Sequence, residues 1–336
     1  MTKSSFSIIL IAVLAACTSH KEGADAAETT PVKIIFDTDI APDYDDVGAM
    51  ALLHAFADRG EIEILATISS NAFHTTVPTI SVLNTYFGKP ELPIGVTKRQ
   101  TPNMSCSQKW AEALIEKYPH TIKSNEEAED ATKLYRKILS RNPDQSVTIV
   151  TVGFFTNLAD LLESQPDEFS ELNGRDLIGK KVKLLVSMAA GIPEGGGKGH
   201  EYNVRIDTRA SQKVFIEWNT PIILSPFEIG AKIFTGIPLT NNLLIQKSPV
   251  KDAYEIALAA DKNTVGRMSW DQTAVLVAAR GYEPYFNTQK LNFKIENDGS
   301  NVLIPGERFI CLTFKQSPKE IQDGIEELMK HSPKIK

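Results

Sequence analysis

The chain has 336 residues, of which 42% are hydrophobic and 23% are charged, and its formal net charge is −6 at pH 7. This composition is typical of a globular protein. It excludes a collagen-like, coiled-coil or disordered chain, because the 20 glycines and 18 prolines follow no repeat. The net negative charge argues against a nucleic-acid partner. Three cysteines are too few for a disulfide framework or for a zinc site built from CxxC pairs.

Residues 1–16 are typical of a signal peptide. A short apolar run at 8–14 is too brief to cross a bilayer as a stable helix, and it leads into LAAC at 14–17. This ending resembles a bacterial lipobox, in which the cysteine is lipidated; an ordinary signal peptide with an incidental cysteine is the alternative. Residues 17–30 are polar and predict a tether. We therefore expect an exported lipoprotein, periplasmic or at the cell surface, that touches the membrane only through a lipid anchor on Cys17.

Beyond residue 30, short apolar runs alternate with stretches of helical spacing. Strands are predicted at 32–36, 62–68, 147–150, 182–188 and 222–224, and helices at 46–58, 75–87, 108–118, 126–140, 156–163, 208–218 and 272–280. This alternation favours parallel strands joined by crossover helices.

Two longer apolar runs at 285–295 and 302–314 flank the turn residues Asn297, Asp298 and Gly299, and they predict an antiparallel strand pair. A last helix is predicted from Ser317. We expect residues 31–336 to form one α/β domain. Its central sheet would be mostly parallel, with flanking helices and a C-terminal antiparallel strand pair.

The first predicted strand leads into a strongly acidic segment, DTDIAPDYDD at 37–46. Five carboxylates in ten residues repel one another unless a helix N-terminus or a bound cation offsets their charge. In α/β sheets ligands collect at the carboxyl ends of the strands. Ca²⁺ suits such a site, because it takes about six to eight oxygen ligands in irregular geometry. One alternative is a solvated acidic loop. Another is a haloacid-dehalogenase-like phosphatase, which the doubled Asp45-Asp46 fits poorly.

The acidic segment resembles the signature of the nucleoside hydrolase family, the inosine-uridine-preferring type. That signature is an apolar strand, Asp-x-Asp, a short turn and a doubled Asp that opens a helix. This chain matches it with Asp37, Asp39 and Asp45-Asp46, although its turn is two residues longer than the commonest form. Further matches follow in the same order along the chain: LATISSN at 65–71, TIVTVGFFTN at 148–157, Glu201-Tyr202-Asn203 after a glycine-rich loop, and Trp270-Asp271.

The resemblance implies hydrolysis of the N-glycosidic bond of ribonucleosides to free base and ribose, which would serve purine salvage. It implies a Ca²⁺ ion held by the side chains of Asp39, Asp46 and Asp271 and by the backbone carbonyl of Val152. Asp39 would be the general base on a metal-bound water. The residues expected to bind substrate are Asp45, Asn71, Glu201, Asn203 and Trp270. For Asn71 a role in ending its strand is equally open, and Asp37 is expected to support the ligands from behind.

Many members of the family have a histidine directly before the late aspartate, where it protonates the departing base. This chain has Trp270 there, and tryptophan cannot act as that acid. Purine-specific relatives use a tryptophan at this place to stack on the base. Trp270 therefore predicts purine nucleosides, with a core tryptophan as the alternative.

Two other functions remain open from the sequence. One is a ribosidase for another ribosyl or sugar conjugate, and the other is a non-catalytic, Ca²⁺-dependent nucleoside-binding lipoprotein. The presence of Asp39 with Asp46 and Asp271 favours an enzyme, because binding alone needs no general base. The expected partner is a small nucleoside. Relatives are often dimers or tetramers, but the sequence decides neither the oligomeric state nor whether Cys106 and Cys311 pair.

Overall fold

A large, mostly parallel sheet organises the computed structural model, which describes Met1 and residues 30–333. The predicted signal peptide, the lipidation site Cys17 and the tether up to residue 29 lie outside the described residues. The strands are β1 (Val32–Thr38), β2 (Ile62–Ser69), β3 (Ile94–Val96), β4 (Glu129–Asp130), β5 (Val147–Thr151), β6 (Val182–Met188), β7 (Lys198–Gly199), β8 (Ile222–Ser225), β9 (Phe234–Thr235), β10 (Arg267–Met268), β11 (Phe286–Ile295) and β12 (Asn301–Phe314).

Helices cover both faces of this sheet. They are α1 (Asp45–Asp58), α2 (Thr76–Tyr86), α3 (Trp110–Lys117), α4 (Ala131–Arg141), α5 (Thr156–Glu163), α6 (Gly174–Lys181), α7 (Tyr202–Ile206), α8 (Thr208–Glu217), α9 (Phe227–Gly230), α10 (Ile237–Thr240), α11 (Pro249–Ala260), α12 (Trp270–Arg280) and α13 (Pro318–Met329). Within the described part of the chain, no helix is both long and apolar enough to cross a membrane.

The strand order is β11-β12-β8-β6-β5-β1-β2-β3-β4. Every neighbouring pair from β12 to β4 is parallel, whereas β11 and β7 pair with β12 in antiparallel fashion. The predicted α/β class with a mostly parallel sheet is confirmed. The predicted C-terminal strand pair is present, and it extends the main sheet because Ile310 and Cys311 of β12 pair in parallel with β8. A separate small sheet of β9 and β10 was not predicted.

Two hydrophobic clusters, one formed largely around α1 and α12 and the other around α4, α5 and α8, hold the helices to the sheet. The predicted helix at 46–58 is present as α1, which is buried continuously from Asp45 to Phe56. The reason is that α12 and α13 also pack against it. Gly48 permits the approach of α12, because a methyl group there would collide with the Gln272 side chain of that helix.

The predicted helix at 126–140 begins late in the structure. Residues Glu129–Asp130 form β4 at the sheet edge, and the helix starts at Ala131. The Asp130 carboxylate accepts a hydrogen bond from the Lys133 amide at 2.9 Å and caps the helix at this point. The prediction was therefore wrong for its first residues. Cys106 and Cys311 are both buried and unpaired.

The buried histidine of α1 makes the stability of the fold depend on pH. Nε2 of His54 lies 3.0 Å from Oδ1 of Asn84, and its ring stacks on Phe87. Burial lowers the pKa of His54 to about 3, from an ordinary value of 6.5. The folded protein therefore keeps the ring neutral, whereas the unfolded chain protonates it. Relative to lower pH, the neutral His54 ring leaves the folded state at full stability above pH 6.5. This stability is lost as the pH falls from 6.5 towards 3, because only the unfolded chain then gains the proton.

We expect His54→Gln to flatten this dependence. Between pH 6 and 4 its free energy of unfolding should fall less steeply than that of the parent, by about 1.4 kcal/mol per pH unit. Urea unfolding at a series of pH values measures the two slopes, and the difference between them removes the effects of other titrating groups. Parallel slopes for the two proteins would contradict a neutral buried His54.

Candidate active site

A cavity of about 410 Å³ opens at the carboxyl ends of β1, β5 and β6. Parallel sheets collect functional residues at this edge, because the loops that leave neighbouring strands meet there. The residues that line the cavity are Asp39, Pro42, Asp43, Asp45, Asp46, Met104, Ser105, Val152, Met188, Glu201, Tyr202, Asn203, Phe227, Arg267, Trp270 and Asp271. The cavity thus unites residues from seven separate stretches of the chain, between Asp39 and Asp271.

Buried carboxylates lie together on one side of this cavity. Asp45 and Asp46 begin α1 and Asp271 lies in the first turn of α12; one carboxylate oxygen from each lies within 4.8 Å of the others. Asp39, which follows β1, is also buried and borders the same cavity. We call Asp39, Asp45, Asp46 and Asp271 the acidic cluster.

Burial and repulsion both oppose ionisation of Asp39, Asp46 and Asp271. Burial raises the pKa of Asp39, Asp46 and Asp271 well above the usual range, and the negative charges of neighbouring carboxylates raise these pKa values further. Several ionised carboxylates can share this buried space only if positive charge offsets their repulsion. Perturbed carboxylates in a cavity are typical of functional sites.

The donor set fits a hard divalent cation. Oδ1 of Asp46 accepts a hydrogen bond from the Thr38 hydroxyl, whereas Oδ2 is buried without a partner among the described residues. Such an orphaned oxygen is costly in a protein interior and calls for a ligand. The available donors are carboxylate and carbonyl oxygens, which suit Ca²⁺ better than the softer transition metals.

Val152, predicted to bind the metal, and Asn203, predicted to bind the substrate, are adjacent in this cavity. The Asn203 side-chain amide donates to the carbonyl oxygen of Val152 at 2.9 Å. Glu201 caps α7: its two carboxylate oxygens accept from the backbone amides of Asn203 at 2.8 Å and Val204 at 3.0 Å. Burial raises the pKa of Glu201 to about 7. The predicted substrate residues Glu201 and Asn203 therefore line the cavity, and the Glu201 carboxylate also holds Asn203 in place.

Asn71 lies outside the cavity lining. Its amide nitrogen donates to the backbone carbonyls of Asp39 at 3.1 Å and Met104 at 2.9 Å. Its amide oxygen accepts from the backbone amides of Phe73 at 3.2 Å and Met104 at 2.9 Å. Both ends of the side chain are thus occupied by the loops around it. This arrangement supports the strand-ending alternative over contact with a sugar.

Asp37 lies below the cavity, in β1 itself. Its carboxylate accepts hydrogen bonds from the Tyr135 hydroxyl at 2.7 Å and the Asn157 amide at 3.0 Å, and burial raises its pKa to about 7. The structure therefore places Asp37 behind the acidic cluster. There it ties β1 to α4 and α5.

The long turn after Asp39 brings a further carboxylate to the cavity. Ala41 has a φ of 148°, a conformation that favours glycine, so this turn is strained by about 1–3 kcal/mol. Beyond Ala41 the turn places Asp43 on the cavity wall and buries Tyr44 in the core. The strain is tolerated because the buried residues of the turn pack against the core.

Trp270 begins α12 and is half-buried at the cavity wall. Its indole nitrogen donates to the Phe227 carbonyl at 2.9 Å, and its ring stacks on the Phe227 ring with centroids 5.3 Å apart. These contacts fix the ring plane. Trp270 is thus neither an isolated core side chain nor a freely rotating one.

Sequence reasoning missed Arg267, which joins the acidic turn to the tryptophan. Its guanidinium lies 5.0 Å from the Trp270 ring centroid and 5.1 Å from that of Tyr44. It pairs with Asp43 at 2.6 Å and with Asp45 at 3.0 Å. The only available signal was indirect, namely the surplus of carboxylates at 37–46, which requires a cation from elsewhere.

Comparison with known proteins agrees with this arrangement. The family model described as "Inosine-uridine preferring nucleoside hydrolase" matches residues 34–315 of this chain. The chain belongs to this family. Family and fold together support an enzyme that hydrolyses the glycosidic bond of nucleosides, and the resemblance read from the acidic segment is confirmed.

Two relatives cover about two thirds of the chain. The inosine-uridine preferring nucleoside hydrolase of Leishmania major is 27% identical over 236 residues, which are 67% of this chain and 67% of that protein. An uncharacterised protein of Schizosaccharomyces pombe is 27% identical over 219 residues, which are 61% of this chain. The match spans 64% of the length of the latter protein.

Solved structures share the fold at low sequence identity. The purine-preferring ribonucleoside hydrolase from Gardnerella vaginalis has a TM-score of 0.69 and 16% identity, over 89% of this chain and 99% of that one. The inosine-uridine preferring nucleoside hydrolase from Bacillus anthracis has a TM-score of 0.67 and 17% identity over the same shares. The effector protein XopQ, complexed with adenosine diphosphate ribose, has a TM-score of 0.66 and 13% identity, over 89% and 92%.

The close approach of β5 to Asp39 gives a test of the site. A methyl group on Gly153 would lie 2.7 Å from the Ser70 hydroxyl and closer still to the Asp39 amide. We expect the added methyl group of Gly153→Ala to push Asp39 away from the carbonyl of Val152, the residue before Gly153. Ca²⁺ binding should then weaken by about 10- to 100-fold, because a small misplacement of binding groups is costly. Isothermal titration calorimetry with Ca²⁺ measures this loss.

Gly324→Ala is the matched control, because a methyl group at this exposed position of α13 meets no atom within 4 Å. It should leave Ca²⁺ affinity unchanged. Unaltered Ca²⁺ affinity in Gly153→Ala would show that the end of β5 does not shape a cation site.

Proposed function

We propose that this protein hydrolyses the N-glycosidic bond of ribonucleosides in a Ca²⁺-dependent reaction and prefers purine nucleosides. The observation that carries the proposal is the union, in one cavity, of the acidic cluster with hydrogen-bonding groups and an aromatic wall. The acidic side suits a cation and the hydroxyl groups of a sugar, and the aromatic side suits a flat base. Family membership supports the same reaction.

Asp39, Asp46 and Asp271, with the carbonyl of Val152, are the groups that would hold Ca²⁺. In support, all four border the cavity, and the buried Oδ2 of Asp46 lacks a hydrogen-bond partner in the described structure. When bound, the cation supplies positive charge that lowers the pKa of a neighbouring water and orients vicinal hydroxyl groups. It would also offset the repulsion that raises the pKa values of these carboxylates.

Asp39 would act as the general base. Its carboxylate accepts a proton from the attacking water while the water oxygen bonds to the anomeric carbon of the ribose. The bond from that carbon to the base nitrogen breaks, and its electron pair leaves with the base. The base takes up a proton from solvent, and Asp39 releases to solvent the proton that it accepted. The sugar ring carries positive charge in the transition state, and the buried carboxylates around it stabilise that charge.

The sugar and the base would use opposite sides of the cavity. Asn203, Glu201 and Asp45 lie where hydroxyl groups would meet hydrogen-bonding partners, and the cap on α7 keeps Asn203 oriented. Trp270 offers the base an aromatic surface, and stacking of this kind contributes about 1–3 kcal/mol per base. A purine has the larger ring system and gains more from this contact, which favours purine nucleosides.

We expect Asp39→Asn to bind nucleosides but to turn them over at least about 1,000-fold more slowly than the parent, because an amide cannot accept the proton of water. The assay follows free base and ribose by chromatography with inosine, adenosine, guanosine, uridine and cytidine. Calorimetry measures nucleoside binding separately. Asp261→Asn is the control, because Asp261 is an exposed carboxylate beyond the cavity lining and its loss should not affect turnover.

The same assay examines the cation and the substrate class. The parent should release purine bases faster than pyrimidine bases, and a Ca²⁺ chelator should abolish release until Ca²⁺ is restored. No release from any of the five nucleosides by the Ca²⁺-loaded parent would contradict the substrate assignment. Nucleoside binding without turnover in the parent would instead identify a binding protein.

We further propose that the protein is an exported lipoprotein anchored through Cys17, on the strength of the LAAC segment at 14–17. In bacterial cells, Cys17→Ser should abolish labelling by a fatty-acid probe and move the protein out of the membrane fraction. Cys106→Ser is the matched control, because Cys106 is buried in the folded body and cannot carry the lipid. Membrane association that persists in Cys17→Ser would contradict the anchor.

A further inference from the structure

Arg267 is the one basic side chain among the described residues that line the cavity. Its backbone is held in β10, where Arg267 pairs with Thr235 of β9. The guanidinium lies against the rings of Tyr44 and Trp270, and 16% of the side chain is exposed. Arg267 is therefore held firmly in place rather than free to sample solvent.

The hydrogen bonds of Arg267 divide the carboxylates around the cavity into two groups. Nη2 lies 2.6 Å from Oδ1 of Asp43, and both Nη2 and Nε lie 3.0 Å from Oδ1 of Asp45. Both contacts with Asp45 thus fall on one oxygen. Across the described residues, no basic side chain pairs with the other carboxylates of the cavity, those of Asp39, Asp46, Glu201 and Asp271.

This division matters because distance alone does not exclude Asp45 from a cation site. One of its oxygens lies within 4.8 Å of oxygens of Asp46 and Asp271, as close as a ligand would be. A carboxylate oxygen that accepts two charge-assisted N–H bonds from a guanidinium is much less available to a metal. The positive charge of Arg267 also opposes a second cation next to Asp45.

We propose that Arg267 is a positioning residue that withholds Asp45 from the cation and keeps it for the substrate sugar. The part that concerns the sugar rests on the proposed nucleoside hydrolysis, whereas the part that concerns the cation does not. Arg267 fixes the plane of the Asp45 carboxylate through Oδ1. The other oxygen, Oδ2, can then meet a hydroxyl group in one orientation.

Loss of Arg267 therefore has two consequences of opposite sign. The cavity gains negative charge and Asp45 becomes free to turn towards the cation, so Ca²⁺ binds more tightly. The same movement takes Asp45 away from the sugar, so the substrate binds more weakly. A general structural lesion would weaken both interactions, which makes the opposite signs diagnostic of this role.

The test uses the full-length protein with Arg267→Gln, Arg267→Lys and the parent. Calorimetry with Ca²⁺ should give about tenfold or greater tightening in Arg267→Gln, and steady-state hydrolysis should give an increase of about tenfold or more in KM with a smaller change in kcat. Arg267→Lys keeps the charge and loses the planar fork. It should bind Ca²⁺ about as well as the parent and still show a raised KM.

Arg280→Gln is the matched control. Arg280 pairs through two nitrogens with Glu61 at 2.6 and 2.7 Å and lies 4.8 Å from the Phe56 ring, but it is remote from the cavity lining. Its replacement removes an arginine from a similar pair and should change neither Ca²⁺ affinity nor KM.

Unchanged or weaker Ca²⁺ binding in a folded Arg267→Gln protein would overturn the proposal. If Arg267→Gln does not fold, Arg267→Lys provides the test. A KM equal to that of the parent would then show that the planar guanidinium of Arg267 does not position Asp45, and the proposal would be wrong. A parent that hydrolyses no nucleoside would disprove the proposed function alone. The Ca²⁺ titrations would still report whether Arg267 withholds Asp45 from the cation.

Discussion

Repulsion among buried carboxylates is the constraint on which the site depends. Asp39, Asp45, Asp46 and Asp271 are buried together on one side of a cavity, and burial raises the pKa values of Asp39, Asp46 and Asp271. Such an arrangement is stable only when positive charge is supplied from several directions. The start of α1 contributes the positive end of its helix dipole next to Asp45 and Asp46, and Arg267 contributes a full charge. The negative charge that these two sources leave uncompensated makes the acidic cluster suited to a divalent cation.

The rest of the fold acts to hold these charges at fixed distances. Asp37 ties β1 to helices α4 and α5 from beneath, and Asn71 joins the loop after Asp39 to the loop that contains Met104. Gly153 allows the end of β5 to approach the Asp39 backbone. Each of these contacts is made near a strand end, either by a polar side chain or by a glycine, which has no side chain. The fixed geometry of the site therefore depends on the edge of the sheet, because the acidic segment at 37–46 could not hold these distances alone.

The elements that the sequence predicted well were those with local signals. Apolar runs predicted the central parallel strands, since a strand buried on both faces has hydrophobic residues throughout. The acidic segment predicted the position of the site, because its carboxylates follow a strand directly. Helix α11 and the small sheet of β9 and β10 were missed. The two strands of that sheet have two residues each, which is too short for any periodicity to show. Asn71 was undecided because three of its four side-chain hydrogen bonds reach Asp39 and Met104 in other loops.

Reading along the chain was enough to predict the family and the class of fold and to name Asp39, Asp46 and Asp271 as candidate ligands, because each lies in a short motif with recognisable chemistry. How the charge of the acidic cluster is compensated became visible only in three dimensions. Arg267 pairs with Asp45, which lies 222 positions away in the sequence, and no pattern near either residue predicts that pair. The physical reason is that electrostatic energy depends on distance in space and on burial. Both are set by the way strands and helices pack, and neither can be read from separation along the chain.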